Sequence, residues 1–444
     1  MEFYQRHKMR PGWPHLSTIL IFAFFSVLAF LDINTAYAEE YRCQKTIGAY
    51  GAKDAGLYYP CGVALDSVGN IYVTDWRNKK VSKFNQEGKF ILNFESKAKV
   101  YMKLKGPAGI AIDSNDNIYV VDQYVAKVFK YNTKGEYVGS FGNYGSASGK
   151  FLNPRGVACD GNNNIYVADH DNFRVQKFSP KGEYISEFKY MGLDTRKLAR
   201  PRGVTCDANN NVYVVYSDIN KVAVFTQEAK MIADYGEEGS QPGQFMNPRY
   251  AACDNIGNIY VTCYKNHRVQ KFSKDMKLLT AFGGFGKKNE NFRNPEGICV
   301  DVSGNVYVAD ALNDRISKWE PEEYIKHLNW AALFEKKAMI AEAIKEYGDI
   351  LKIRPQDAKI TSAIIDLSLK AAKKCQLDKD IEGAKKYYAE VLKLNSLNEA
   401  AIREMKDLQE GGREKKVEKK QNFVIGLLLV LAVLISMIMT FKNV

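Results

Sequence analysis

Residues 154–178 read PRGVACDGNNNIYVADHDNFRVQKF, and this stretch decides the fold because its pattern occurs six times along the chain. Each copy begins with a proline, and an aspartate follows that proline by six residues and an asparagine by ten. Successive prolines lie 47 residues apart at Pro60, Pro107, Pro154, Pro201, Pro248 and Pro295. Self-similarity at a period of about 20–50 residues is the signature of a repeat architecture.

Each copy predicts four short antiparallel strands. Pro-x-Gly opens the copy with turn chemistry, and the apolar run 156–159 forms a first strand. A second turn covers 160–164, and the triplet Ile165-Tyr166-Val167 is β-branched and aromatic, which favours a strand. A third strand starts at a recurring basic residue, here Arg174, and a fourth follows a Gly-containing turn. The sequence therefore predicts a mainly β fold, a six-bladed β-propeller with 47-residue repeats.

The repeat closely resembles the NHL repeat, and all six copies match over about residues 41–320. The residues that carry the resemblance are Pro154-Arg155-Gly156-Val157, Asp160, Asn164-Ile165-Tyr166-Val167-Ala168-Asp169 and Asn172-Phe173-Arg174-Val175. The resemblance implies a six-bladed propeller but no single function, because functions are grafted onto folds. Propellers of this kind include RNA-binding modules, sensor domains of bacterial receptor kinases and an amidating lyase.

The start of the propeller is expected to complete its last blade. Residues 46–51 align with 140–145, which form the fourth strand of a copy, whereas the last copy runs from Pro295 to Trp319 and lacks that strand. Because an unpaired strand edge is a liability, we expect residues 41–48 to supply the outer strand of the blade formed by 295–319. The propeller domain would then span residues 39–320.

Both ends of the chain predict export and anchoring. Residues 1–38 carry the basic start, apolar run and small-x-small site of a cleaved secretion signal, with an uncleaved anchor as the alternative. Residues 411–421 form a basic linker, and 422–441 predict one transmembrane helix. We therefore expect a single-pass cell-membrane protein with its domains on the extracytoplasmic (periplasmic) side. That location excludes nucleic acid as a partner despite the net charge of +12.

Residues 323–410 predict a small α-helical domain between the propeller and the linker. Two segments, 343–355 and 384–395, share an alanine and an aromatic residue four positions later; the first ends in Pro355, which Ser396 replaces after the second. They resemble the second helix of a tetratricopeptide repeat, although they are 41 residues apart rather than the usual ~34. The resemblance implies that the helices bind a peptide or protein partner. The alternative is a helical spacer that lifts the propeller off the membrane.

The copies differ most at one mouth of the predicted ring, where ligand binding is expected. In an antiparallel blade, the residue after each proline and the residue after each Tyr-Val-x lie on the same face. Three adjacent copies carry arginine after the proline, and two copies lack the acid expected beside the recurring basic residue. The candidate ligand-binding residues are Arg155, Arg202, Arg249, Tyr250, Lys221, Arg268, His170 and Tyr264.

These residues predict an electropositive sector that binds an anionic small molecule or an acidic peptide through charge-assisted hydrogen bonds. The alternative is a solvated rim, in which Asp218 or other acids satisfy the cations. A metal-dependent lyase or hydrolase acting on an exported substrate is the second candidate function. The propeller has only His170 and His267, however, and a catalytic zinc site built from imidazoles needs three. No catalytic residue or cofactor is predicted, and a structural calcium ion on the acidic loops is left open.

Overall fold

The computed structural model describes residues 40–410, apart from 49, 51–53, 95–102 and 193–197. The predicted secretion signal, basic linker and transmembrane helix lie outside the described residues. Among the helices of the described part, none is long and apolar enough to cross a membrane.

Twenty-four described strands form six four-stranded antiparallel sheets, and each sheet is one blade of a propeller. Blades 1 to 3 contain β2 (Pro60–Leu65), β3 (Ile71–Asp75), β4 (Lys80–Phe84), β5 (Phe90–Phe94), β6 (Pro107–Ile112), β7 (Ile118–Asp122), β8 (Lys127–Tyr131), β9 (Tyr137–Phe141), β10 (Pro154–Cys159), β11 (Ile165–Asp169), β12 (Arg174–Phe178) and β13 (Tyr184–Phe188). Blades 4 to 6 contain β14 (Pro201–Cys206), β15 (Val212–Tyr216), β16 (Lys221–Phe225), β17 (Met231–Tyr235), β18 (Pro248–Cys253), β19 (Ile259–Cys263), β20 (Arg268–Phe272), β21 (Leu278–Gly283), β22 (Pro295–Val300), β23 (Val306–Asp310), β24 (Arg315–Pro321) and β1 (Tyr41–Ile47). The predicted mainly β, six-bladed architecture is therefore confirmed.

The first strand of the chain closes the ring. β1 pairs antiparallel with β24 and is the outermost strand of blade 6, whose order is β1-β24-β23-β22. At its start, Tyr41 stacks on Phe282 of blade 5 with 4.7 Å between ring centroids, and the Tyr41 and Tyr260 hydroxyls are 2.8 Å apart. The structure thus confirms the expected pairing of the N-terminal strand with the last copy.

Three repeated residues lock the same turn in every blade. In blade 3, Asp160 accepts hydrogen bonds from the backbone N–H and the side-chain amide of Asn164, at 2.8 and 2.9 Å. The Tyr166 hydroxyl donates to the same carboxylate at 3.0 Å. The equivalent tyrosine–aspartate bond occurs in all six blades, at 2.9 to 3.4 Å. These residues therefore serve the fold, since buried polar groups need partners.

The glycine of Pro-x-Gly lets the innermost strands approach one another around the channel. A Cβ on Gly156 would lie 2.6 Å from the Arg202 carbonyl oxygen, and one on Gly203 would lie 2.6 Å from that of Arg249. No side chain fits so close to a neighbouring backbone, so the glycine is needed for packing. Blade 5 departs from this rule because it carries Tyr250 at the equivalent position.

Five helices follow the propeller: α1 (Glu323–Lys336), α2 (Ile340–Ile353), α3 (Ala358–Leu377), α4 (Ile381–Leu394) and α5 (399–410). The α1 helix contacts turns of blades 5 and 6 on the face where each first strand ends. Asn329 is fully buried there and accepts a hydrogen bond from the Asn255 N–H at 3.2 Å. Next to it, the Trp330 indole donates to the Ser303 hydroxyl at 3.0 Å. The helices therefore attach to the face opposite the one where the first strands begin.

Replacing Ile47 by alanine should weaken the closure of the ring. Its side chain is 2 % exposed and packs in the cluster between blades 6 and 1, so truncation should lower the free energy of unfolding by about 2–5 kcal/mol. The measurement is urea unfolding of the purified protein. Gln44→Ala, at an exposed position of the same strand, is the control and should change stability by at most about 0.5 kcal/mol. An equal loss of stability in both variants would contradict a specific role for the packing of Ile47 between blades 6 and 1.

Candidate functional site

Two rings of residues meet at the face where the first strands begin. In each blade, the proline that starts the first strand pairs with the last residue of the second strand, as Pro154 does with Asp169. The residues that follow these two therefore share one mouth. The inner ring, after the prolines, is Cys61, Ala108, Arg155, Arg202, Arg249 and Glu296. The outer ring, after the second strands, is Trp76, Gln123, His170, Ser217, Tyr264 and Ala311.

A buried carboxylate sits among the arginines of the inner ring. Glu296 is 1 % exposed, and Arg202 donates from one nitrogen, Nη2, to both of its oxygens at 3.0 Å. Arg249 Nε lies 4.0 Å from Glu296 Oε1. Burial alone would lower the pKa of Arg202, but the adjacent carboxylate raises it above the usual arginine value. Arg202 is thus paired with Glu296, and its role in binding a ligand stays a prediction.

Arg155 is the arginine of the inner ring that lacks a counter-ion. Its side chain has no hydrogen bond or ion pair with any described residue, and its Nε is buried. Burial, and next the positive charge of Arg202, lower the pKa of Arg155. An arginine nevertheless stays protonated in a protein. The mouth therefore contains a mostly buried positive charge that Glu296 attracts from a distance but that no described residue pairs with directly.

Tyr264 and Tyr250, both expected at the mouth, occupy different depths. The Arg249 guanidinium lies 3.9 Å from the centroid of the Tyr264 ring, a cation–π contact, and the Tyr264 hydroxyl is 3.3 Å from that of Tyr59. Tyr250 is buried in the innermost strand of blade 5 and lines the channel below the arginines. Tyr264 thus belongs to the mouth, whereas Tyr250 belongs to the channel wall.

His170 lies beside Arg155. Its Nδ1 is 2.7 Å from Asp171 Oδ1. Burial lowers the pKa of His170, and the nearby Arg155 charge lowers it further, against the opposing effect of Asp171. At neutral pH the imidazole is therefore uncharged and adds no positive charge to the site.

Lys221 and Arg268 lack the acid expected in their blades and have other partners in the structure, and their role in ligand binding stays a prediction. Their blades carry Tyr216 and Cys263 in place of the usual acid. Lys221 Nζ instead lies 3.9 Å from Asp234. Arg268 donates to backbone carbonyl oxygens of the loop before its blade, Ser240, Gln241 and Gln244, at 2.6 to 3.1 Å. The alternative that acids other than Asp218 satisfy the cations therefore agrees with Lys221, whereas the partners of Arg268 are backbone carbonyl oxygens.

The sequence reasoning missed an aromatic cavity in the mouth beside Arg155. It has a volume of about 600 Å³ and is lined by Trp76, Gln123, Tyr124, Tyr144, Leu152, Asn153, Arg155 and Asp171. Trp76 and Gln123 occupy the same repeat position as His170 and Tyr264, so the 47-residue register could have identified them. Glu296 could likewise have been recognised, because it follows the last repeated proline.

The described residues offer one group of side chains spaced to hold a metal ion, and it lies in the helical domain. His327 of α1 approaches Glu346 and Asp349 of α2. His327 Nδ1 is already 2.7 Å from Glu346, and Lys352 lies 2.5 Å from Asp349. This group is not at the mouth, and a structural calcium ion on the propeller stays a prediction.

Comparison with known protein families agrees with the geometry: this chain is a β-propeller that carries NHL repeats. The family model for the NHL repeat matches residues 151–178 and 292–319. No curated protein matches the chain significantly in sequence.

Several solved structures share the propeller fold. A protein of unknown function from Bacteroides thetaiotaomicron is 17% identical, with 64% of this chain and 76% of that chain covered and a TM-score of 0.51. An auxiliary nutrient binding protein from the same species is 14% identical (65% and 78% covered, TM-score 0.49). Virginiamycin B lyase from Staphylococcus aureus is 15% identical (63% and 99% covered, TM-score 0.46). At 17% identity, the likeness to the first of these structures shows the fold alone.

Replacing Glu296 by glutamine should destabilise the propeller. The change keeps the shape of the side chain but leaves the buried Arg202 without its counter-ion, and breaking such a pair costs about 3–5 kcal/mol. Thermal unfolding should show a clearly lower Tm. Glu290→Gln, the same substitution at an exposed position, should leave Tm nearly unchanged. An unchanged Tm in both variants would mean that Glu296 does not balance the arginines.

Proposed function

We propose that this protein is a membrane-anchored, extracytoplasmic binding protein whose propeller mouth holds a ligand by an anionic group. The observation that carries the proposal is Arg155, a mostly buried cation without a partner among the described residues, on the wall of an open cavity. A carboxylate or phosphate of the ligand would make charge-assisted hydrogen bonds to this guanidinium. It would also offset the repulsion from Arg202, which lowers the pKa of Arg155.

The neighbouring charges favour the same kind of ligand. Glu296 is one carboxylate among three guanidinium groups, so the inner ring retains positive charge after Arg202 is paired. Arg249 lies farther from Glu296 than Arg202 does and makes a cation–π contact with the Tyr264 ring. Arg155 would make the primary contact, and Arg249 would add a second attraction. An anionic small molecule or the acidic side chain of a peptide fits this arrangement.

We further propose that the helical domain engages a partner protein in the manner of tetratricopeptide-like arrays. The two resembling segments fall in α2 and α4, which pack against α1 and α3 respectively as successive hairpins. Leu377, the last residue of α3, and Leu397, in the turn after α4, are largely exposed. Because α1 docks on the opposite face of the propeller, a partner bound to the helices would leave the mouth open.

The proposed anion site is tested by Arg155→Gln. The variant keeps a polar side chain but loses the charge, and hydrogen bonds to charged groups contribute about 1.5–3 kcal/mol, so affinity should fall about ten- to hundredfold. Isothermal titration of the purified protein with inorganic phosphate, at low ionic strength, measures the change. Arg403→Gln, the same substitution on the exposed surface of α5, should bind like the original protein. Equal affinity in all three proteins, or no phosphate binding at all, would refute the site.

The proposed location is tested by truncation and fusion. Alkaline phosphatase, which is active only after export, is fused after residue 410 and should be active in cells when residues 1–38 are present. Removing 1–38 should abolish that activity. In a second arm, the chain without 422–441 should move from the membrane fraction to the soluble extracytoplasmic fraction. An inactive fusion, or a truncated chain that stays in the membrane, would contradict the proposed topology.

A further inference from the structure

Exposed aromatic side chains are concentrated at the mouth of the propeller. Among the described residues six tyrosine and phenylalanine side chains are exposed, and only Tyr184, on the outer strand β13, lies away from the mouth. The other five, here called the aromatic rim, lie in connections that open on the mouth: Tyr50, Tyr58, Tyr124, Tyr144 and Phe285. On the described part of the opposite face, the propeller exposes only two large apolar side chains, Val68 and Val302. Because exposed apolar patches mark interaction sites, the mouth is the face prepared for a partner.

The loops of the mouth do not need aromatic residues in order to fold. Tyr144 and Phe285 occupy the same repeat position and are 78 % and 70 % exposed. The loop between blades 4 and 5 has Glu238 at this position, yet it forms the same backbone bridge as the loops that carry the two rings. The position of Tyr124 likewise holds a charged residue in four of the other five blades. The exposed rings therefore have no evident role in the fold that a polar residue could not fill.

A recessed cation lies inside the aromatic rim. Arg155 is mostly buried, has no hydrogen bond or ion pair with any described residue, and lines the same cavity as Tyr124 and Tyr144. An anion can reach this guanidinium only on a group that protrudes into the cavity. A flat bilayer surface would cover the rings but would present no such protrusion. The charge and the shape of the mouth therefore favour a partner that inserts an acidic side chain.

The width of the aromatic rim favours a protein over a small molecule. Tyr144 lies in the loop between blades 2 and 3, and Phe285 lies in the loop between blades 5 and 6. These loops stand on opposite sides of a six-bladed ring. A small molecule beside Arg155 would contact Tyr144 but not Phe285, which does not line the cavity. Protein interfaces cover about 800 Å² on each partner and are enriched in tyrosine, phenylalanine and arginine, as this mouth is.

We infer that the mouth binds a partner protein, which inserts an acidic side chain beside Arg155 and covers the aromatic rim with apolar residues around that acid. The acid makes charge-assisted hydrogen bonds to the guanidinium. The rings pack against the apolar residues of the partner and leave water. The inference rests on the proposed anion site, because it uses Arg155, and it adds the class of the ligand.

The probe is a phage-displayed library of sixteen-residue linear peptides, which reach about 50 Å when extended and so can contact opposite sides of the mouth. The library is selected on the purified full-length protein in nanodiscs of neutral lipid and, in parallel, on its Arg155→Gln variant. We expect enriched peptides that carry an aspartate or glutamate between apolar residues and that the variant does not retain. In isothermal titration, the most enriched peptide should bind at least tenfold more tightly than inorganic phosphate. Replacing its acid by the corresponding amide should remove that advantage.

Tyr144→Ser and Phe285→Ser test the aromatic rim itself. Both loops should still fold, because Glu238 occupies the same position in the loop between blades 4 and 5. Each variant should bind the peptide about five- to fiftyfold more weakly, since it loses the burial of one ring, while phosphate binding persists. Tyr184→Ser removes an exposed ring from β13, away from the mouth, and is the matched control that should bind the peptide like the original protein.

If phosphate binds through Arg155 but no peptide that depends on Arg155 is enriched, the inference of a partner protein is overturned and the anion site stands. Loss of peptide binding in Tyr144→Ser but not in Phe285→Ser would also overturn it, because the ligand would then be confined to the cavity. Binding to phosphatidylglycerol vesicles that both variants weaken would make the aromatic rim a membrane surface instead. If neither phosphate nor any peptide binds, both the inference and the proposed function fail.

Discussion

The antiparallel pairing of β1 with β24 holds the ring closed, and the mouth depends on this closure. Glu296 belongs to the blade that is completed in this way, and Tyr59 precedes the first blade. The Tyr59 backbone N–H donates to Asp314 of blade 6 at 2.8 Å, and its hydroxyl lies 3.5 Å from Glu296. Residues from the two ends of the propeller thus meet at the site. An open ring would separate Glu296 from its surroundings and expose the arginines that it balances.

Charge balance inside the closed ring explains why Arg202 and Arg155, at the same position of their repeats, differ in whether they are ion-paired. A buried cation is tolerated when it is paired, and Glu296 provides that pairing for Arg202. Arg155 is too far round the ring to share this carboxylate in a hydrogen bond, and it faces the aromatic cavity instead. The arginine that follows the repeated proline is therefore ion-paired in blade 4, as Arg202, but has no partner among the described residues in blade 3, as Arg155. The difference arises from the single acid in blade 6.

The fold was largely predictable from the sequence, because each blade is set by residues close together in the chain. The proline spacing, the Asp160–Asn164 turn and the strand triplets each act within one copy, and the missing strand identified β1. Partners of side chains were less predictable, because they come from other copies or from loops. Glu296 lies 94 residues from Arg202, and Arg268 bonds to loop carbonyl oxygens that no sequence pattern marks. The aromatic cavity depends on how Trp76 and its neighbours are oriented, which only the closed ring defines.

In blade 6, the innermost strand runs from the mouth to the face on which α1 docks. The β22 strand begins beside Glu296 at the mouth, and the turn that follows it contains Ser303, which accepts the hydrogen bond from Trp330 of α1. Ligand at the mouth and a partner on the helices would therefore not compete for space. They would, however, both act on the same short strand, whose first residues hold the buried charge and whose last residues lead to the turn that contacts α1. Blade 6 thus closes the ring through β1 and also connects the proposed binding site to α1 of the helical domain.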